Sequence, residues 1–322
     1  MSRRRAARFP SLFACLALAA RGTAAAQAPA DEVGSLAARF AAMTAVTGYE
    51  QPMVDTLLRL LPGAVRDRAG NAVRASGAGR RRLAVCALDE PGWVVGGVRP
   101  DGWLTLRRSP GPPAPMRDQQ LEGARVTVFG RRGPVPGVVA VRSIHLTRGR
   151  EALSTGPFTA DSALVDLGAA SAEEVARLGV QVLAVVSLAK RPHRYGPDLL
   201  AAPYAGRRAA CAALAHAAAA AGPADAVIAF AGQQELSGRG LAAAARLHGP
   251  FEETVVVDAV AGAAGGVLRG DDAQLAARVT GLGRVTRLSL PVRYPGSPVE
   301  TVALGDARAL AEEIAVWLRS GR

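Results

Sequence analysis

The sequence predicts an α/β fold, a mostly parallel, doubly wound sheet flanked by helices, with a β-rich domain inserted into it. Three observations carry this expectation. After about residue 196 strands and helices alternate, as the βα units of a parallel sheet do. The segment RRLAVCALDE is apolar on both faces, the pattern of a strand covered by helices on each side. From 93 to 195 the texture changes to short extended pieces punctuated by Pro and Gly turns, so the α/β domain is discontinuous, 28–92 with 196–322.

In chain order, the first segment stands outside the fold. Arg3, Arg4 and Arg5 precede the apolar run FPSLFACLALAA, and small residues around TAAAQA follow, the order of an export signal over 1–27. The run is too short for a permanent membrane span, so no transmembrane anchor is expected after cleavage. Adjacent arginines leave the general secretory (Sec) and twin-arginine (Tat) routes both open, with a periplasmic or secreted product in either case.

Apolar residues recur at helical spacing over 31–45, and TGYEQPMVDTLLRLL starts a second helix with Thr47 and Glu50 three apart, a capping-box arrangement. AVRDRAGNAVRA makes two extended pieces around a turn at 69–71, and RRLAVCALDE is a strand that ends on Asp89 and Glu90. In the insertion, GGVRPDGWLTLRR and ARVTVFGRRGPVPGVVAV are turn-joined strands, a loop covers 109–115, and SAEEVARLG is a short capped helix between two strands. Then come RRAACAALAHAAAAAG as an alanine-driven helix, ADAVIAFAG as a strand, RGLAAAARLHG as a helix, ETVVVDAV as a strand and DARALAEEIAVWLRSG as a closing helix.

The 322 residues are 49% hydrophobic and carry a formal net charge of +12. The cations are nearly all arginine, Lys190 being the only lysine, and they are scattered rather than massed on one face, so no nucleic-acid partner is expected. Loss of 1–27 removes Arg3, Arg4, Arg5, Arg8 and Arg21 and lowers the charge from +12 to +7. Cys86 and Cys211 then remain, a single pair at most and not a disulfide framework.

In open α/β sheets sites form outside the carboxyl ends of the strands, and the sequence puts Asp89, Glu235 and Asp258 at three such ends. A dinuclear hydrolytic site would add imidazoles, a bridging carboxylate and a general base for metal-bound water. His145, His193, His216 and His248 all fall away from strand ends. Neither a G-x-S-x-G elbow nor a phosphate-binding glycine loop is present.

The stretches TGYE, VRDRAGN, LDEPGW, GPVPGVVAVRSIHL, DLGAASAEEVARLGV, QELSGRG, VVVDAV and LPVRYPGSPVE together resemble peptidase family M42, the glutamyl and tetrahedral aminopeptidases, some labelled cellulase M or endoglucanase-like. The likeness runs from about residue 43 to the C-terminus. It implies a zinc-peptidase-like sheet, an inserted β-barrel-like domain, homo-oligomers up to a dodecamer and two co-catalytic zinc or cobalt ions that serve N-terminal peptide hydrolysis.

Residue by residue, the resemblance then fails at the chemistry. Ala87, Ala205 and Gly296 stand where the family has its first histidine ligand, its bridging aspartate and its last histidine ligand, and Gly206 replaces the acid after the bridge. Gln234 replaces the general base; a neutral amide cannot take a proton from water. Glu235 and Asp258 are kept as ligand positions for different metals, with Asp89 and Asp272 as supporting acids. Between Gly266 and Gly270 roughly thirty residues of the family pattern are missing.

Two readings follow. In the first the chain is an exported pseudoenzyme that binds no metal and serves as a binding or assembly module, with Arg207, Arg208, Arg239 and Arg293 biasing an open pocket toward a peptide carboxylate or another small anionic ligand. In the alternative it is a divergent metallo-aminopeptidase using Asp89, Glu235, Asp258 and Asp272 as an all-oxygen site.

Overall fold

The computed structural model describes residues 31–77, 81–109, 115–141, 158–222, 224–263 and 265–320. The expected export signal, most of the 109–115 loop and His145 lie outside the described residues. Strands β1 (Val65–Arg66), β2 (Ala72–Ser76) and β3 (Arg82–Ala87) precede the insertion. Six strands then close a barrel: β4 (Trp93–Val98), β5 (Leu104–Arg108), β6 (Arg125–Gly130), β7 (Gly133–Val139), β8 (Leu164–Asp166) and β9 (Val185–Leu188), in the order β4-β5-β8-β7-β6-β9. The chain returns through β10 (His193–Tyr195), β11 (Leu199–Ala201), β12 (Ala226–Ala231), β13 (Glu253–Ala261), β14 (Leu268–Asp271), β15 (Arg284–Arg293) and β16 (Thr301–Ala303).

The large sheet runs β1-β2-β12-β3-β13-β15-β16-β11-β10, with β14 paired to β15. Its centre, β12-β3-β13-β15, is parallel, and its wings are antiparallel. The parallel centre is where the sequence is apolar on both faces: all six residues of β12 and four of the six in β3 are buried. Helices Glu32–Ala41, Gln51–Leu60, Ala205–Ala221 and Leu304–Arg319 share one core on one face of this sheet. Helix Arg239–His248 packs on the other.

Helix Ala205–Ala221 crosses beneath the sheet centre, and its alanines explain how. Alanine has the highest helix propensity, and a face of methyl groups lets the helix lie close to the strands. The barrel has its own core around Trp93, Leu104, Leu106, Val126, Val128 and Val186. Barrel and sheet belong to one contact unit from Glu32 onward.

One expectation is overturned at the second helix. Thr47 and Glu50 make no capping box; Gln51–Leu60 starts without a side-chain cap. Both side chains instead reach across to the strand ends.

Candidate functional site

Asp89 is the anchor of the strand-end region. It follows β3, is fully buried, and accepts the Gln234 amide at 2.8 Å, the Glu235 amide at 3.1 Å and the Thr47 hydroxyl at 2.8 Å. Glu50 holds the same loop from the other side by accepting the Gln233 amide at 2.9 Å. Burial pushes the Glu50 carboxyl up, against the lowering effect of that amide. The loop after β12 is thus fixed through its backbone, which leaves the Gln234 and Glu235 side chains free of that task.

Glu300 does the matching work for the other loops. It accepts the Gly206 amide at 3.0 Å and the Gly296 amide at 2.8 Å, so one carboxylate ties the start of helix Ala205–Ala221 to the turn after β15. Burial raises its pKa, and the two amides oppose that shift. Tyr204, Gln233, Ser237 and Tyr294 are held at φ 59, 54, 59 and 53°, the left-handed region. Each such residue costs about 1–3 kcal/mol, and such strain clusters at functional sites. Four of them flank this one region.

The positions that the resemblance marks as substituted differ in what they would accept. At Gly206 a Cβ would lie 2.3 Å from Val292 and 2.6 Å from Ala259, so neighbouring side chains occupy the place of any acid there. At Gly296, with φ +70°, nothing lies within 4 Å of a Cβ position. Ala87 ends β3, and Ala205 opens its helix as a fully buried residue.

Glu235 and Asp258 are both taken by guanidinium groups. Arg207 donates to Glu235 at 3.0 Å and also to the Asp89 carbonyl. Burial opposes its charge, yet Asp258 and Glu235 hold it more firmly protonated than usual. Asp258 lies within β13, three residues before its end at Ala261, and not at the strand terminus expected. It pairs with Arg287 at 3.4 Å. Arg287 also binds Asp272, which caps helix Ala273–Arg278 through the Leu275 amide at 2.8 Å. Asp272 is therefore a helix cap joined to Asp258 by an arginine. Its carboxyl is held low, the amide and Arg287 outweighing burial.

The four-arginine pocket is corrected by the same geometry. Arg208 is fully buried and pairs with Glu90 at 2.6 Å while donating to the Leu88 carbonyl, and Arg207 turns inward as described. Only Arg239 and Arg293 are exposed. Lys190 meets the same Glu90 at 2.7 Å, so two buried cations share one buried carboxylate at the seam of sheet and barrel. Burial lowers the Lys190 pKa against the pull of Glu90; burial would raise that of Glu90, but the two cations win and lower it.

Sequence reading missed Thr47, Glu50, Glu90, Lys190, Arg287 and Glu300 as members of this network. A lone lysine among so many arginines was the one available signal. The cysteine pair does close: Cys86 of β3 and Cys211 of helix Ala205–Ala221 form a disulfide, with Cα atoms 5.6 Å apart. It joins the two elements that carry Ala87 and Ala205.

These residues do not fit a co-catalytic metal pair. Zinc takes three or four protein ligands, whereas Glu235 and Asp258 each face a guanidinium and Asp89 already accepts three hydrogen bonds. Among the described residues no group of three or more His, Cys, Asp or Glu side chains is arranged to hold a metal ion. Of the described histidines, His216 lies 3.6 Å from Glu32, His248 lies 3.4 Å from Asp67, and His193 stacks on Tyr195.

Comparison with known proteins gives a consistent picture. A family model described as M42 glutamyl aminopeptidase matches residues 70–266. The chain is 30% identical over 178 residues to the putative aminopeptidase SgcX of Escherichia coli, covering 53% of this chain and 46% of SgcX. It is 28% identical over 204 residues to the lysyl aminopeptidase of Pyrococcus furiosus, covering 61% of this chain and 57% of that one. The chain thus spans about half the length of these curated relatives. Among solved structures, the TET1 peptidase of Pyrococcus horikoshii superposes with a TM-score of 0.77 at 20% identity over 89% of this chain and 99% of that chain, a likeness of fold.

Proposed function

The chain belongs to the M42 glutamyl aminopeptidase family, and from that premise we propose that it is an exported, non-hydrolytic member, a binding or assembly protein without metal. The observation that carries this reading is the capture of Glu235 and Asp258, the two retained ligand positions, by Arg207 and Arg287. A guanidinium already supplies the positive charge that a metal would bring to each carboxylate. Gln234 leaves the general-base position without a group that can accept a proton.

Retained loops, with their strain and their buried carboxylate anchors, support a role that needs the shape of the site and not its chemistry. Homo-oligomeric assembly fits this reading, since a TET1 structure is described as a dodecamer and TET1 as assembling into a tetrahedron or octahedral shell. Among the described residues no helix is long and apolar enough to cross a membrane. Export is supported by the buried disulfide, which persists in oxidising compartments.

Aminoacyl-p-nitroanilide turnover by the purified mature protein, with added zinc or cobalt, tests the reading, alongside its mass in native solution. No turnover from a discrete oligomer is expected. Metal-stimulated turnover that Glu235→Ala abolishes would establish the metallo-aminopeptidase instead.

A further inference from the structure

We propose that the small cavity at the seam between sheet and barrel is a binding site for a monatomic anion of the chloride class. Its walls include Glu90, Trp93, Arg117, Gln120, Lys190 and Gly296, from both the barrel and the α/β domain. The inference is independent of whether the strand-end region hydrolyses peptides.

Charge is the first argument. Lys190, Arg208 and Glu90 are 6%, 0% and 1% exposed, two cations against one carboxylate. An unbalanced buried charge is costly unless it is paired. Glu300 also acts on Lys190, from farther away, with its oxygens already engaged by the Gly206 and Gly296 amides. Arg117, on the cavity wall, adds a further positive charge. A counter-anion would restore the balance.

Open donors are the second argument. Trp93 is 2% exposed, and its indole N–H has no acceptor; the Arg117 Nε–H is buried without one as well. Indole, guanidinium and ammonium groups only donate, so they call for an occupant that only accepts. Gln120 presents an unpartnered Oε1, but the amide orientation is an assignment, and a turn of the amide offers its NH2 to the same space.

Size decides among anions. The cavity is small, with about 10 Å³ open to the centre of a water-sized occupant, which suits one compact anion better than a polyatomic one. A water would fill the space but leave the positive charge unbalanced.

The test combines bromide and chloride. Crystals of the full mature chain grown in sodium bromide should show an anomalous peak in this cavity, and the melting temperature should rise saturably by about 2–4 °C in sodium chloride over sodium gluconate of equal ionic strength. Trp93→Phe, which removes the indole donor without changing charge, should lose that chloride increment. Arg117→Gln, on the rim of the cavity, should shrink it and guards against a misfolded Trp93 variant. A water in place of bromide, or an equal chloride increment in wild type and both variants, overturns the proposal. So does a bromide peak with no chloride dependence in solution, which would be an adventitious ion only.

Discussion

The strand-end site and the seam cluster lie on either side of Asp89–Glu90, and they balance their charges in opposite ways. At the strand ends every carboxylate has a resident partner: Asp89, Glu50 and Glu300 take backbone amides, and Glu235 and Asp258 take arginines. At the seam two buried cations share Glu90, and the donors of Trp93 and Arg117 stay open. A closed network fixes shape, because a buried polar group is costly only when it is left unpaired. An open network leaves room for something to bind. Whatever the seam takes up, the proposed reading makes the strand-end region a scaffold.

Substitutions can break this contrast, starting with the largest expected effect. Asp89→Ala leaves the Gln234 and Glu235 amides and the Thr47 hydroxyl without their buried acceptor. Glu90→Gln leaves two buried cations uncompensated. Each should cost about 3–5 kcal/mol in urea denaturation. A loss below about 1 kcal/mol for Asp89→Ala would show that the strand-end network is not a scaffold.

Replacing Cys86 and Cys211 together by alanine should cost about 2–5 kcal/mol, the usual effect of removing a native disulfide, whose loop here spans 125 residues. Titration should separate the two regions further. Glu90 is depressed, so its contribution is present above an unfolded pKa of about 4.5 and is lost as pH falls through its lower folded value. Glu50 and Glu300 are raised, so the folded state holds extra protons above about 4.5 and loses stability as pH rises through their folded values. Glu300→Gln should flatten the stability profile on the neutral side of pH 4.5, and Glu90→Gln should flatten it on the acid side. Profiles that both variants leave unchanged would contradict these roles.

Glu235→Gln should change stability by no more than about 1 kcal/mol, since Arg207 keeps the Asp89 carbonyl as acceptor and Asp258 as a nearby opposite charge. Gln234→Glu should have the smallest effect of all, adding a carboxylate but no turnover, because Arg207 and Arg287 hold the carboxylates a metal would need. Turnover in that variant would show that one side chain alone had silenced the site.

Much of the fold was legible because periodicity and the two-faced apolar strands reflect burial directly. The alanine helix announced itself by propensity, and the parallel centre by strands such as AVIAFA. The resemblance marks Ala87, Ala205, Gln234 and Gly296 as substituted positions, since a motif with a missing residue still fixes the position of the gap. What sequence could not give was direction. Thr47 and Glu50 match a capping box in spacing, but tertiary acceptors and donors won over the local cap. Arg207 and Arg208 are adjacent on a helix start, yet one turns to Glu235 and the other to Glu90. Partners of that kind are set by long-range packing, with separations of 28 and 118 residues, beyond the reach of local pattern.

Titration of the mature, metal-stripped protein with cobalt and zinc, followed by calorimetry and by the visible cobalt spectrum, tests the central claim that arginines hold the carboxylates a metal would need. No stoichiometric binding is predicted for the wild type. Tight binding of one or two ions per chain, abolished by Glu235→Ala, would contradict it.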